Sequence, residues 1–243
     1  MADFLVQTVD GDLDHDFAFH LIKAIKYQNW IHNEEKHTFR KADTINSSNT
    51  DEDYIPVGSL DEFVYEYMEE RHNIDSDEIE PINIPNELKK DKFLKRDIEG
   101  RVYKSSVSPG AQTFVKSSTD YLGYSGIISN TEYIPEDRYL VSDVIEIQSE
   151  WRAFVYHQDI LDLRNYRKDF RLFPNIEKIE EMVALYDTSP SAYTLDVAIN
   201  EDGETVLVEV HPFVSCGLYG FYNYKKLPEM MIEGFNWMLE EAE

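Results

Sequence analysis

Ala192-Tyr193-Thr194-Leu195-Asp196-Val197-Ala198-Ile199-Asn200-Glu201-Asp202-Gly203-Glu204-Thr205-Val206-Leu207-Val208-Glu209-Val210-His211 is the stretch on which the fold turns. Two runs of alternating polarity flank Asp202-Gly203, and that pattern predicts a β-hairpin. A two-residue turn pairs Glu201 with Glu204. Leu195, Val197 and Ile199 then share a face with Val206, Val208 and Val210, and this apolar face is expected in the core. The opposite face carries Thr194, Asp196, Ala198, Leu207, Glu209 and His211, with Asp196 facing Glu209 and Thr194 facing His211. Opposed side chains have Cβ atoms about 5 Å apart, and like charges there destabilise the sheet. Two facing carboxylates ask for a cation between them or a shared proton. Oxygen ligands on a divalent ion, with phosphates completing the shell, suit magnesium. The plainer alternative is two solvated acids in an acidic protein.

Further strands are expected upstream. Residues 150–156 and 160–166 read as strands that pair back on each other, preceded by a strand over 139–147. Arg152 shares a face with Glu150, Phe154 and Tyr156 by the period of two. Arg164 joins that face if the intervening turn has three residues and leaves it if the turn has two. Two arginines on one face would gather phosphate or carboxylate oxygens bidentately; otherwise Glu150 and Arg152 form a surface pair worth little. Residues 113–116 form a short strand ending in Lys116, before a Ser/Gly/Tyr loop through Gly123 and Gly126. Lys116 and the loop amides could bind phosphate, or the lysine is exposed and the loop a turn. Residues 176–185 and 228–241 read as helices, the second with Pro228 near its start.

The N-terminal part alternates strand and helix. Residues 3–9 read as a strand, and residues 17–27 carry the helical stripe Phe17, Leu21, Ile22 and Ile25. Residues 44–53 are loop. Ser59 caps a helix over 60–71, whose first turn holds Asp61 and Glu62 at the positive end of the dipole. The acidic, proline-bearing run at 75–85 marks a boundary, which divides the chain into an α/β domain over 1–86 and a β-rich one over 87–243.

Of the 243 residues, 48 are acidic and 23 basic, a net charge of −25, while 42% are apolar and 13% aromatic. Such a chain can build a core. Its charge disfavours nucleic acid and anionic membrane surfaces as partners. Residues 89–171 hold 14 bases against 13 acids, and the rest holds 9 against 35. That near-neutral segment suits an anionic ligand, or is simply less acidic surface. The single cysteine, Cys216, excludes a disulfide framework and a Cys-based zinc cage, and is expected to be a buried structural thiol. His15, His20, His32, His37, His72 and His157 show no metal-like spacing. With no leader-like start and no run approaching 18 apolar residues, a cytoplasmic protein without membrane spans is expected.

These segments, taken in order, resemble the ATP-grasp superfamily, and within it the often phage-associated clade named for two arginines and a lysine. Residues 150–155, Glu-Trp-Arg-Ala-Phe-Val, are similar to that clade's Glu-aromatic-Arg-x-Phe-Val strand. Residues 192–197 resemble its Asp-bearing strand. Val208-Glu209-Val210-His211 resembles its Val-Glu-x-Asn ending, with His211 where Asn is usual. Phe114-Val115-Lys116 looks like the phosphate-binding strand, with Ser117 in place of the usual Pro. Ile55-Pro56-Val57-Gly58-Ser59 looks like the Pro-x-Gly-Ser segment of the preceding domain.

The resemblance implies an α+β fold in which two ATP-grasp subdomains clasp ATP, preceded by a small α/β domain. It implies an ATP- and Mg2+-dependent ligase that joins a carboxylate to an amine or other nucleophile through an acylphosphate, with a peptide, protein or amino acid among the possible substrates. Asp196 and Glu209 would hold magnesium, with His211 a third ligand. Lys116 would bind phosphate, either Arg96 or Lys104 completing the clamp. Arg152 and Arg164 would neutralise the acylphosphate, Glu150 would line the nucleotide site, and Asp143-Val144-Ile145 would offer backbone groups to adenine. A kinase-like phosphotransferase and a non-catalytic nucleotide- or partner-binding module stand as alternatives.

Overall fold

The computed structural model describes residues 2–75, 79–103, 112–121, 123–128 and 134–242. Three sheets organise them. The first is parallel, in the order β2-β1-β3, from β1 (Ala2–Gln7), β2 (His37–Ala42) and β3 (Ile55–Val57). Helix α1 (Asp16–His32) makes the crossover from β1 to β2. Strand alternation sends Phe4 and Val6 toward Phe17, Leu21 and Ile25 of α1, while Leu5 enters a second core on the other side. Asn33 ends α1 in the left-handed region and returns its amide to the carbonyls of Asn29 and Trp30. Gly58 follows β3 so closely packed on Gln7 that a Cβ would lie 2.5 Å from the Gln7 side chain, whose Oε1 accepts the Ser59 amide at 2.6 Å.

Ser59 does begin a helical stretch, but its turns at Leu60–Tyr65 and Met68–His72 are wide π-turns, and the Ser59 hydroxyl makes no capping bond. Phe63, Tyr67 and Met68 from this stretch meet Leu5 and, from the far end of the chain, Phe235 and Met238 of helix α4 (Leu227–Glu241). Residues from both ends of the chain therefore share this core.

The second sheet is antiparallel, in the order β4-β7-β5-β6, from β4 (Ile98–Tyr103), β5 (Thr113–Ser117), β6 (Ser125–Ile128) and β7 (Asp137–Asp143). The third is also antiparallel, in the order β11-β10-β8-β9, from β8 (Ile147–Tyr156), β9 (Asp159–Lys168), β10 (Ala192–Asn200) and β11 (Thr205–Pro212). The strand expected over 139–147 is thus two strands. Residues 144–146 join β7 to β8 and link the two sheets. Helices α2 (Asp91–Leu94) and α3 (Ile176–Leu185) pack on the third sheet, where Phe93, Ile179, Met182 and Val183 share a core with Trp151, Val155, Leu195 and Val197. No helix among the described residues is long and apolar enough to cross a membrane.

The decisive hairpin differs from its expected form in one respect. Its turn has three residues, 201–203, with Gly203 at φ 75° and its amide on the Asn200 carbonyl at 3.0 Å. Near the turn the register is therefore offset by one, pairing Val197 with Leu207 and Ala198 with Val206. A bulge at Val208 restores the count, so Asp196 faces Glu209 and Thr194 faces His211, as the two-residue reading expected. Core membership changes with the register: Leu207 is fully buried beside Leu195 and Val197, and Val208 turns to the cleft between the sheets.

Candidate active site

The second and third sheets meet where Lys116 of β5 reaches Glu209 of β11 and pairs with its Oε2. The other Glu209 oxygen lies 2.9 Å from Nε2 of His211, two residues along the same strand face. Burial alone would raise the Glu209 carboxyl. The hydrogen bond from His211, with the positive charges of His211 and Lys116, outweighs it and holds the group well below the usual carboxylate range. Asp196, Glu209 and His211 each offer a ligand atom, and these lie within 4.8 Å of one another.

Asp196 is almost fully buried, and both of its oxygens are taken by Arg152. Nε and Nη2 of Arg152 each donate at 2.8 Å to a different oxygen. Their strands are neighbours, and Arg152 stands directly opposite Asp196. The guanidinium also donates to the Gly217 carbonyl at 3.3 Å and lies 5.7 Å from the Tyr166 ring and 5.3 Å from that of Tyr219, which stack 5.1 Å apart. The pairing with Asp196 outweighs burial and keeps Arg152 charged.

Arg164 stands directly opposite Arg152. The β8–β9 turn has two residues, His157 and Gln158, both at positive φ, a form that on its own would leave Arg164 on the other face. A register shift between Phe154 and Val155 skips Leu161 and brings it back. Like charges facing across a sheet repel, and each arginine has its own acid: Asp162 receives Arg164 at 2.8 Å. Glu150 is buried on the Arg152 face, with Arg167 at 3.2 Å and the Tyr166 hydroxyl at 3.1 Å.

Between the sheets, Arg96, Phe114, Lys116, Ser142, Val208 and Glu209 line a small cavity of about 30 Å³. Nη1 of Arg96 donates to the carbonyls of Leu207 at 2.9 Å and Leu94 at 3.2 Å, and burial pushes its guanidinium down to about 10. Asp143 ends β7 beside this cavity, and Val144 and Ile145 follow in the connection to β8. Lys104, the other base considered for the clamp, lies outside the described residues. After Lys116 the chain turns tightly. Ser117 pairs with Asp137, and a Cβ on Gly123 would fall 2.4 Å from the Ser117 side chain. Ser117 thus fills the place of the expected proline with a hydroxyl that organises the loop.

Next to this cleft lies a cavity of about 180 Å³, bounded by Arg152, His211 and Cys216 together with Leu60, Val214 and Met238. Burial pushes the Cys216 thiol up to about 12, as suits an inert structural cysteine.

Two sheets gripping a cleft, with a lysine on one and two acids on the other, agree with a sequence match. The profile of an ATP-grasp domain, family 2 of the clade named for two arginines and a lysine, aligns with residues 93–227, more than half of the chain. The chain belongs to this family. This ATP-grasp chain also superposes on solved ATP-grasp structures over nearly its full length. It matches D-alanine–D-alanine ligase from Bacillus anthracis with a TM-score of 0.53 and 12% identity, covering 99% of each chain. The same ligase complexed with ATP matches at 0.50 and 13%. N5-carboxyaminoimidazole synthetase from Staphylococcus aureus matches at 0.54 and 9%, covering 96% of this chain and 77% of the other. At such identities the likeness is one of fold. No curated protein sequence matches. The fold is α+β and of ATP-grasp type, as the sequence resemblance implied.

Sequence reasoning missed the tyrosine pair around Arg152. Tyr219 has φ 49° and follows Gly217, whose hypothetical Cβ would lie 3.0 Å from the Tyr219 ring. Gly217 was visible in the sequence, but the side chain packing against it was not.

Proposed function

We infer that this ATP-grasp chain is an ATP- and magnesium-dependent ligase that joins a carboxylate to an amine or related nucleophile through an acylphosphate. The observation that carries this reading is the convergence of ligand atoms from Asp196, Glu209 and His211 within 4.8 Å, facing Lys116 across the cleft. Two carboxylates at this spacing fit a divalent cation with phosphate oxygens in its remaining positions. Magnesium-bound ATP, once in place, supplies an activated γ-phosphoryl group and neutralises its charge.

The chain's own residues do the rest. Lys116 and His211 hold Glu209, and Arg152 holds Asp196, so each acid faces a cationic side chain. Lys116 would exchange Glu209 for phosphate oxygens as the acids turn to the cation. His211 donates to Glu209 through Nε2, which makes it the group that orients this carboxylate and a ligand only after that hydrogen bond is released. Arg152, set against the stacked rings of Tyr166 and Tyr219, and Arg164 opposite it present guanidinium groups to the carboxylate being activated. Arg96, which lines the small cavity beside Lys116, is the described base that would complete the phosphate clamp.

Calorimetric titration of ATP with magnesium tests the reading, on wild type and on Asp196→Asn/Glu209→Gln. Magnesium-dependent binding that disappears in the double variant is expected, and carboxylates and amines are then screened for ADP release. Wild type that binds no nucleotide would refute the ligase reading. ADP formed with a carboxylate or alcohol alone, and left unaltered by any amine, would favour the phosphotransferase.

A further inference from the structure

We propose that α1 and the adjoining turn at residues 222–226 form a docking surface for an acidic peptide segment that leads into the active site. The proposal rests on the ligase reading only for what happens at the end of that path. Helix α1 turns Phe17, Leu21 and Ile25 inward, while its outer side exposes Phe19 (57%), Trp30 (74%) and Ile31 (53%), with the exposed lysines Lys23 and Lys26 between Phe19 and Trp30. The turn adds Tyr222 (82%), Lys225 and Lys226. Exposed apolar side chains interleaved with lysines along one helix stripe suit an interaction site.

The four lysines share an arrangement. Lys225 lies 4.1 Å from the Tyr27 ring centroid, Lys23 4.6 Å from Tyr224, Lys26 6.0 Å from Phe39 and Lys226 6.0 Å from Tyr156. Among the described residues none of them pairs with a carboxylate, in a chain with 48 acids to 23 bases. The neighbouring carboxylate of Glu229 is held by Lys36 and Gln28. Ammonium groups set over rings are held in place and keep their charge. At physiological salt the screening length is about 8 Å, so the acids elsewhere on the molecule weigh little against a ligand seated here.

The surface is continuous with the active site. The Tyr222 amide donates to Asp162 at 2.6 Å, and the same carboxylate oxygen holds Arg164. A path bounded by unpaired lysines and exposed aromatics, ending at the arginine of a cleft, fits one extended chain and not a bilayer. Acidic residues of that chain would meet the lysines, an apolar one would cover Trp30, and its reacting carboxylate would arrive at Arg164.

The test uses a fluorescein-labelled 12-residue peptide of Glu and Asp with two Phe residues, and a control in which Lys replaces the acids, both at 0.15 M salt. Micromolar binding is expected for the acidic peptide alone, with a blue shift in tryptophan emission that Trp30→Phe abolishes. Lys23→Glu/Lys225→Glu should weaken binding at least tenfold and leave magnesium-dependent ATP binding unchanged. Asp196→Asn/Glu209→Gln should do the opposite, abolishing ATP binding and keeping peptide binding, whereas wild type that binds the peptide but no nucleotide would sink the ligase reading alone. Equal binding of both peptides, binding indifferent to the charge reversals, or sedimentation with phosphatidylserine vesicles in place of peptide binding would overturn the docking surface.

Discussion

Replacing Asp196 by Ala tests the pairing at the centre of the site. The variant leaves the Arg152 guanidinium, 8% exposed, without the carboxylate that accepts two 2.8 Å hydrogen bonds from it. Removing one member of a buried pair costs about 3–5 kcal/mol, because the remaining charge has neither water nor partner. The Gly217 carbonyl and the two tyrosine rings offset a small part of this. For a chain of this size the loss corresponds to a fall in melting temperature of roughly 10 °C. Removing both charges, as Arg152→Met/Asp196→Leu, should recover most of it, since a buried pair and its hydrophobic replacement are often about equal. The assay is urea unfolding followed by circular dichroism and tryptophan emission. A loss below about 1 kcal/mol for Asp196→Ala, the scale of an exposed ion pair, would refute the reasoning. So would a double variant as unstable as the single one.

Three further outcomes follow from the packing and electrostatics. Gly234→Ala places a Cβ 2.4 Å from the Phe213 carbonyl oxygen, so urea unfolding should show a loss of about 1–3 kcal/mol despite alanine's better helix propensity; a gain would mean that α4 can shift. Burial would raise Glu229, but its bonds to Lys36 and Gln28 lower it overall; its contribution is therefore present above the usual carboxylate range and lost as pH falls through it. Glu229→Gln should flatten the acid limb of the stability–pH curve, and an unchanged limb would assign that dependence elsewhere. Cys216, half-buried on the wall of the 180 Å³ cavity and pushed up to about 12, should react with a thiol reagent at pH 8 far more slowly than a free thiol, and labelling at the rate of a free thiol would contradict that shift.

Asp196 opposite Glu209 was legible because a period of two and an Asp-Gly turn both survive in sequence. The agreement also depended on two compensating departures, a three-residue turn and a bulge at Val208, neither of which leaves a local signal. The same holds at Arg164, which reaches the Arg152 face through a skipped residue that no turn rule contains. The second sheet was legible only at Lys116 and in part of β7. Strands β4 and β6 each hold a glycine, which weakens strand propensity and removes a side chain from the alternation. Strand β2, His-Thr-Phe-Arg-Lys-Ala, escapes a sequence reading because partners across the sheet, not its own composition, make it a strand. That Arg152 holds Asp196 was out of reach, since it requires knowing that β8 and β10 are neighbours.

The meeting of Leu5, Phe63 and Tyr67 with Phe235 and Met238 has a consequence for how the protein is made. A ribosome emits the first sheet long before the helix that seals its lower side. Until then Leu5 and the wide-turned stretch beneath it lack part of their apolar cover, and that stretch cannot be held by propensity alone. Nascent chains halted before residue 235 should be cut readily by protease near residues 60–72, and those in which helix α4 has emerged should resist. The N-terminal sheet, first in sequence, is expected to be among the last parts to become secure.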